Sequence, residues 1–349
     1  MKTIYIHIGL HKTGTTTIQD YLIDNIEGLK AHGVFVPFPH RNHNLTLWEN
    51  GKGKRHKQEP NWERFMRRMD KTDLPVVVIS SEFFSRDISE IEDWHVNFSK
   101  LVQLGHKLKF ILYLRRSDKR FESLFIEAIK GGVGLRDIRN FPYTRFIDNW
   151  QLCEAIIERF GKESLIVRKF EIDAKQGLIK SFLGCLGLPE IEVDELKYQT
   201  NTKPNLDQLR AIQYAGELYS KITTPLFSTA RYKRKAIKRW GRWFMDQTME
   251  WQDQSAYTLL PDDIAKMILD DQFESNKKIA DAFFDGDMTH LHAENLPVTA
   301  GESLSIINMK KEHLEQALEL FIQVEKIIEA IETEPPTSKR GPQNDEQDT

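Results

Sequence analysis

Strand-like and helix-like patterns alternate over the first 190 residues of this chain, and this alternation constrains the fold more than any other feature. Thr3 to Ile8 and Lys107 to Leu114 are typical of strands, Pro75 to Ser80 is a continuous apolar run, and Ser164 to Val167 is a shorter strand. Residues at helical spacing fill the intervals between these runs. Strands that alternate with helices pair in parallel and carry the helices on their faces, so we predict an α/β fold with a parallel sheet.

The C-terminal part of the chain has a different pattern. Beyond Pro204 the strand signal disappears and helical spacing takes over. Met309 to Glu332 carries an apolar stripe, which indicates a packing helix or a partner helix that joins two copies into a homo-oligomer. The last residues contain no large apolar side chain, as expected for a disordered tail. The predicted parts are one domain over 1–332, an α/β core over 1–190 within it, a mostly helical extension over 191–332, and a disordered tail over 333–349.

Composition excludes several classes of protein. The 49 Lys and Arg residues are balanced by 52 Asp and Glu residues, a net charge of -3 that argues against a nucleic-acid partner. The mean hydropathy of -0.50 argues against a membrane span, and the first residues do not form a signal peptide. Cys153 and Cys185 form neither a disulfide framework nor a metal-ligand spacing, so we expect two buried, reduced thiols. These features predict a cytoplasmic protein.

The richest chemical signal is the segment from Gly9 to Thr17. It lies between a predicted strand and a predicted helix, where free backbone N–H groups and the helix dipole favour an anion. A tight turn between a strand and a helix needs one glycine, whereas this segment combines two glycines, a lysine and several threonines. The segment therefore predicts a phosphate-binding loop, whose candidate residues are His11, Lys12, Thr13, Gly14, Thr15, Thr16 and Thr17.

Gly9 and Gly14 have the spacing of the P-loop of nucleoside triphosphatases, but Thr15 stands where that loop has its lysine. The lysine lies instead at Lys12, two residues before the second glycine. This arrangement resembles the 5′-phosphosulfate loop of the sulfotransferases, in which Lys-x-Gly-Thr-[ST] follows the first strand. The resemblance implies a three-layer, P-loop-like parallel sheet with a helical C-terminal extension. It also implies 3′-phosphoadenosine 5′-phosphosulfate as donor, with Lys12 on the leaving 5′-phosphate and no metal.

A second part of the resemblance lies at the end of the strand Lys107–Leu114. Arg115 follows this strand directly, and Ser123 follows eight residues later within a predicted helix. The pair resembles the 3′-phosphate site of the same family, since a guanidinium can bind a phosphate through two hydrogen bonds. Arg116-Ser117 replaces the Asp-Pro that the family usually has after the arginine. A surface salt bridge is the alternative for Arg115 alone.

The candidate general base is Glu82, which follows the buried strand Pro75–Ile79. Ligands of open α/β sheets bind outside the carboxyl ends of the strands, so Glu82 lies on the ligand side. Several glycan and tyrosyl-protein sulfotransferases place a glutamate base after this strand, and the resemblance implies that role here. The alternative for Glu82 is a charge at a helix N-terminus. His43 is a rival base with a reference pKa near ~6.5, and His11 is expected to line the site.

The basic segment 231–242 has seven Lys and Arg residues and no acidic residue. One interpretation is a solvated helix face. The other is a surface for an anionic acceptor or a membrane, because Trp240, Trp243 and Phe244 interleave with the charges.

Together these features predict an enzyme, a sulfotransferase of the bacterial or glycan type that sulfates a hydroxyl, most simply one on a carbohydrate. Two alternatives remain open at this point. One is an ATP-dependent kinase of the P-loop class, and the other is a non-catalytic scaffold that binds nucleotides or glycans.

Overall fold

The structure, a computed structural model, divides into two compact units. Unit 1 comprises residues 1–121, 143–202 and 262–298, and unit 2 comprises residues 122–142, 203–261 and 299–349. The described residues are 1–41, 61–90, 92–132, 137–142, 148–198, 203–221, 230–251, 257–296 and 298–321. The one-domain organisation over 1–332 stays a prediction, because contacts within a chain do not show which parts fold together. The predicted tail at 333–349 lies outside the described residues.

Unit 1 contains a parallel sheet of five strands in the order β2-β3-β1-β4-β5. The strands are β1 (Thr3–Gly9), β2 (Val34–Phe35), β3 (Val76–Ser80), β4 (Lys107–Leu114) and β5 (Leu165–Lys169). Each neighbouring pair is parallel, with β1 hydrogen-bonded to β3 on one side and to β4 on the other. The α/β class with a parallel sheet is therefore confirmed.

The helices of the described residues are α1 (Thr15–Asp24), α2 (Ile26–Ala31), α3 (Asn61–Asp70), α4 (Phe83–Glu90), α5 (Val96–Gln103), α6 (Ser117–Lys130), α7 (Asn149–Phe160), α8 (Phe170–Gln176), α9 (Leu178–Cys185), α10 (Leu206–Lys221), α11 (Ala230–Gln247), α12 (Asp262–Asp271), α13 (Phe273–Phe283) and α14 (Lys311–Phe321). Short 3-10 turns lie at Ile138–Asn140, Lys162–Ser164, Glu195–Tyr198 and Ile306–Asn308. No strand is assigned among the described residues beyond Pro204, in line with the loss of strand patterns there.

Alternating side chains of the strands build a separate apolar layer on each face of the sheet. On one face, Ile4, Ile6 and Ile8 of β1 share a core with α3, α4, α5, α7 and α13. On the other face, Ile111 and Tyr113 of β4 share a core with α1, α2 and α9. Side chains of successive strand residues point to opposite faces, so each strand contributes to both layers. Unit 1 is thus a three-layer arrangement of helices, sheet and helices.

The helix predicted after the phosphate loop is divided at Asn25 into α1 and α2. Asn25 has φ −118° and ψ 24°, outside helical geometry. Its side-chain Nδ2 donates to the Tyr21 carbonyl oxygen at 2.9 Å and to the Tyr198 hydroxyl at 2.9 Å. An asparagine side chain competes with the backbone for such carbonyls, which explains the break in the helix at Asn25. The apolar periodicity continues across the break because α1 and α2 share one core.

Unit 2 places the aromatic residues of the basic segment in its own core. Trp240 and Phe244 of α11 are fully buried, and their rings stack with centroids 4.8 Å apart. The Trp240 ring also packs on Phe321 of α14, at 5.3 Å. Trp240 and Phe244 therefore do not belong to an exposed surface, whereas Trp243 is half-buried, and an anionic or membrane partner for the basic segment stays a prediction. These rings alternate with charges because one helix face is buried and the other is exposed at Lys238 and Arg242.

The remaining expectations concern cysteines, the C-terminal helix and membrane spans. Cys153 is buried in α7, and burial raises the pKa of its thiol to about 12. Cys185 at the end of α9 is half-buried. The described end of the C-terminal helix packs within its own chain through Phe321, and a homo-oligomer stays a prediction. Within the described ranges, no helix combines the length and apolar character needed to cross a bilayer.

Candidate functional site

The candidate residues of unit 1 meet at the carboxyl ends of β1, β3 and β4. These three strands are neighbours at the centre of the sheet. The helix after β1, α1, packs on one face, whereas the helix after β3, α4, packs on the other. The chain therefore leaves two adjacent strands in opposite directions, which opens a crevice at their carboxyl ends. The loop Gly9–Gly14 and Glu82 lie at this crevice.

The backbone of the loop has three residues in the left-handed region. Gly9 has φ 93°, Lys12 has φ 69° and Gly14 has φ 74°. A Cβ on Gly14 would lie 2.2 Å from Leu178 Cδ2, so both the backbone angle and the packing require glycine there. Lys12 adopts the same region with a side chain, at a cost of about 1 to 2 kcal/mol. Strained backbone of this kind is characteristic of functional sites.

The hydroxyls of Thr13, Thr15 and Thr17 bond within the protein. Thr13 Oγ1 donates to the Leu10 carbonyl oxygen at 2.7 Å, and Thr15 Oγ1 donates to the same oxygen at 3.4 Å. Thr17 Oγ1 donates to the Tyr198 carbonyl oxygen at 3.4 Å. Gly14, the residue before α1, has no side chain that could cap the helix. The first backbone N–H groups of α1 are therefore the donors that the loop offers to an anion.

Arg115 joins the end of β4 to the phosphate loop. Its Nη1 donates to the Lys12 carbonyl oxygen at 3.0 Å, and its guanidinium lies 5.4 Å from the centre of the Phe170 ring. Glu171 Oε1 lies 3.7 Å from Arg115 Nε and accepts a hydrogen bond from the Arg116 backbone N–H. Burial raises the pKa of Glu171, and the Arg115 charge lowers it in part. The structure thus brings Arg115 to the loop, and its contact with a 3′-phosphate stays a prediction.

Glu82 lies between β3 and α4, directly opposite the first residues of the loop. His11 Nδ1 is 3.4 Å from Glu82 Oε1, and a quarter of the Glu82 side chain is exposed. A Cβ on Gly9 would lie 3.1 Å from Glu82 Cα, so the loop passes close to the backbone at Glu82. The structure therefore brings His11 of the loop next to Glu82, and Lys12 is the following residue of the loop.

Two further candidates have other positions. His43 lies outside the described residues, so its role as a rival base stays a prediction. Ser123 lies on α6, in the part of that helix that belongs to unit 2, and its contact with a phosphate also stays a prediction. Arg120, three residues before Ser123, is buried and donates to Asn149 Oδ1 at 3.4 Å.

A buried polar cluster beneath the loop went unrecognised in the sequence. His7 Nδ1 is hydrogen-bonded to Ser80 Oγ at 2.8 Å, and Gln19 Nε2 donates to the Ser80 carbonyl oxygen at 3.0 Å. Burial lowers the pKa of His7 to about 3, so its imidazole is neutral. The cluster ties β1, β3 and α1 together just below the site. Its sequence signal was His7 within the alternating strand Thr3–Gly9, where a polar side chain at a buried position implies a hydrogen-bond partner in the core.

Comparisons with known proteins add one distant similarity. No protein-family model matches the chain, and no curated protein matches it. Among solved structures, the chain is similar to the crystal structure of a sulfotransferase from Alicyclobacillus acidocaldarius, with 15% identity and a TM-score of 0.41. The match covers 62% of this chain and 93% of the other.

Proposed function

We propose that this protein is a sulfotransferase that moves a sulfuryl group from 3′-phosphoadenosine 5′-phosphosulfate to an acceptor hydroxyl. One observation carries the proposal: a phosphate loop whose lysine is Lys12 rather than residue 15 meets Glu82 and Arg115 at the carboxyl edge of the sheet. An anion site, a carboxylate and a second cationic group at one crevice suit a donor with two phosphate positions and an acceptor that must lose a proton.

The donor fits the loop through its charge. The N-terminus of α1 has no side-chain cap and offers backbone N–H groups to an anion, and Lys12 would add a positive charge to them. In sulfuryl transfer, as in phosphoryl transfer, positioning and charge stabilisation supply most of the catalysis. Lys12 and the α1 N-terminus would stabilise the charge that develops on the leaving 5′-phosphate. Arg115 would recognise the 3′-phosphate that separates this donor from ATP.

Glu82 would act as the general base. The acceptor oxygen forms a bond to sulfur while the bond from sulfur to the bridging phosphate oxygen breaks, and the acceptor proton passes to the Glu82 carboxylate. A carbohydrate hydroxyl is our proposed acceptor, because Glu82 has the position of the base in the glutamate-using enzymes that the sequence resembles. Glu82 directly precedes α4, so a purely electrostatic role at that helix N-terminus is the competing explanation.

The competing activity is ATP-dependent phosphoryl transfer. A P-loop kinase places its lysine directly after the second glycine, where this chain has Thr15, a residue that is 3% exposed and donates to Leu10. The loop therefore favours the phosphosulfate donor over a magnesium nucleotide.

Calorimetric titration tests this choice. We expect adenosine 3′,5′-bisphosphate to bind without magnesium and more tightly than ATP. Addition of magnesium should leave the bisphosphate affinity unchanged. Tight ATP binding that requires magnesium, with none for the bisphosphate, would establish the kinase instead. Binding of the bisphosphate without any turnover of the phosphosulfate, across a panel of oligosaccharide acceptors, would favour a non-catalytic scaffold.

A further inference from the structure

The contact between His11 and Glu82 joins the phosphate loop to the candidate base. His11 Nδ1 lies 3.4 Å from Glu82 Oε1, and 34% and 25% of the two side chains are exposed. We propose that His11 is a positioning residue for Glu82: its Nδ1–H holds one carboxylate oxygen so that the other faces the acceptor hydroxyl. This inference rests on the proposed function, because it assigns a role to Glu82 as base.

The backbone around both residues is packed together, so the contact does not depend on two flexible surface side chains. On the loop, Leu10 is fully buried and the Lys12 carbonyl oxygen accepts from Arg115 Nη1 at 3.0 Å, which fixes the residues on either side of His11. On the other side, the Ser81 backbone N–H donates to the His7 carbonyl oxygen at 3.0 Å. This hydrogen bond connects β1 to the residue before Glu82.

An aromatic contact sets the orientation of the imidazole. The His11 ring meets the Phe83 ring edge-on, with centroids 5.5 Å apart and an interplanar angle of 85°. Phe83 is in turn placed by a hydrogen bond from its backbone N–H to Ser81 Oγ at 3.3 Å, and the Arg86 guanidinium lies 5.1 Å from its ring centre. The ring of His11 is thus held between the loop and the start of α4, with Nδ1 toward the carboxylate.

The chemistry of the step explains why such a contact would matter. A partly exposed polar contact contributes little to the stability of a fold, so its main effect here is on geometry. The acceptor oxygen bonds to sulfur, the electron pair of the broken bond stays on the bridging phosphate oxygen, and the acceptor proton passes to Glu82 Oε2. Throughout this step His11 Nδ1–H stays beside Oε1, 3.4 Å away in the structure. The loop that binds the donor phosphate therefore also orients the base.

Variants of His11 separate this role from donor binding. The assay is the release of adenosine 3′,5′-bisphosphate from 3′-phosphoadenosine 5′-phosphosulfate, with water as the acceptor. With the donor at saturating concentration, we expect His11→Ala to lower the rate between about 10-fold and 10²-fold, the range that misplacement of a reacting group produces. His11→Asn should restore most of the rate, because its side-chain N–H can occupy the position of Nδ1–H.

A double-mutant cycle shows whether His11 acts through Glu82. In the Glu82→Gln background, His11→Ala should cause no further loss, since no base remains to be oriented. Equal losses from His11→Ala in the two backgrounds would overturn the inference, as would a His11→Asn variant no more active than His11→Ala. If the wild-type protein neither binds the bisphosphate nor releases it, the proposed function is wrong and the inference falls with it.

A direct view of the contact is given by ¹⁵N spectra of the histidine side chains, with the His11 signals assigned by their loss in His11→Asn. We expect the Nδ1–H form of His11 to predominate in the wild type and to decline in Glu82→Gln. This measurement needs no substrate, and it does not depend on the catalytic rate of a variant that folds poorly. A His11 signal that is identical in the wild type and in Glu82→Gln, in a protein that binds and turns over the donor, overturns the inference alone.

Discussion

The Arg115 guanidinium donates from Nη1 to the backbone carbonyl oxygen of Lys12 at 3.0 Å. This bond joins the end of β4 to the one loop residue other than glycine that adopts a left-handed conformation, at φ 69°. A second role, recognition of a 3′-phosphate, stays a prediction for Arg115. Support of the loop and recognition of a phosphate lead to different results on mutation.

Arg115→Ala should weaken the binding of adenosine 3′,5′-bisphosphate far more than the binding of adenosine 5′-phosphosulfate, because only the first ligand carries a 3′-phosphate. Loss of a charged hydrogen bond predicts that the binding free energy of the bisphosphate falls by roughly 1.5–3 kcal/mol more than that of the phosphosulfate. Calorimetry with both ligands measures this difference. Arg159→Ala, at an exposed position of α7, is the matched control and should change neither affinity. Equal losses for the two ligands would show that Arg115 only supports the loop.

Much of the fold was predictable from local patterns. The apolar run at Val76–Ser80 and the pattern at Lys107–Leu114 correspond to β3 and β4, because buried strands need uninterrupted β-forming residues. The loop Gly9–Gly14 was visible because its glycines and lysine have a meaning in sequence alone. These features depend on short stretches of chain, which explains why sequence reasoning could find them.

Features that depend on distant contacts were not predictable. The proximity of His11 to Glu82 follows from the pairing of β1 with β3, which are separated by about seventy residues. Burial of Trp240 depends on Phe321, eighty-one residues away. In each case the deciding partner is remote in sequence.

The left-handed backbone at Lys12 predicts different stabilities for two variants that both lose the lysine charge. Both Lys12→Ala and Lys12→Gly remove the amine, so both should weaken binding of adenosine 3′,5′-bisphosphate. Lys12→Gly should nevertheless be about 1 kcal/mol more stable than Lys12→Ala, because glycine carries no penalty at positive φ. Urea unfolding measures the difference. At Lys30, an exposed residue within α2, the order should be reversed, since glycine is unfavourable inside a helix.

Buried His7 predicts a pH dependence of stability. Its pKa falls from the reference value of 6.5 to about 3 on folding because of burial, so between these values the unfolded chain binds the extra proton. Stability should therefore fall as the pH is lowered from about 6.5 towards 3, by up to about 1.4 kcal/mol per pH unit from this group. Unfolding curves from pH 4.5 to 7.5 for the wild type and His7→Asn test the effect.

In His7→Asn this contribution to the acid slope should disappear, whereas His32→Asn should leave the slope as it is in the wild type. His32 is an exposed residue at the end of α2, where its Nδ1 is bonded to the Gly28 carbonyl oxygen at 2.9 Å. An unchanged slope in His7→Asn would mean that the histidine is charged or solvated in the folded protein.

Glu82→Gln tests the base itself. Glutamine keeps the shape and one acceptor oxygen but cannot take a proton, so the affinity for adenosine 3′,5′-bisphosphate should survive while turnover of the phosphosulfate falls. A positioned general base contributes about 10²–10⁴-fold, and we expect a loss in that range. His43→Ala is the comparison, because His43 is the rival base. If His43→Ala abolishes turnover and Glu82→Gln retains it, the histidine is the base and Glu82 is a charge at the start of α4. If both variants lose turnover while both bind the bisphosphate, Glu82 remains the base and His43 orients the acceptor hydroxyl toward it.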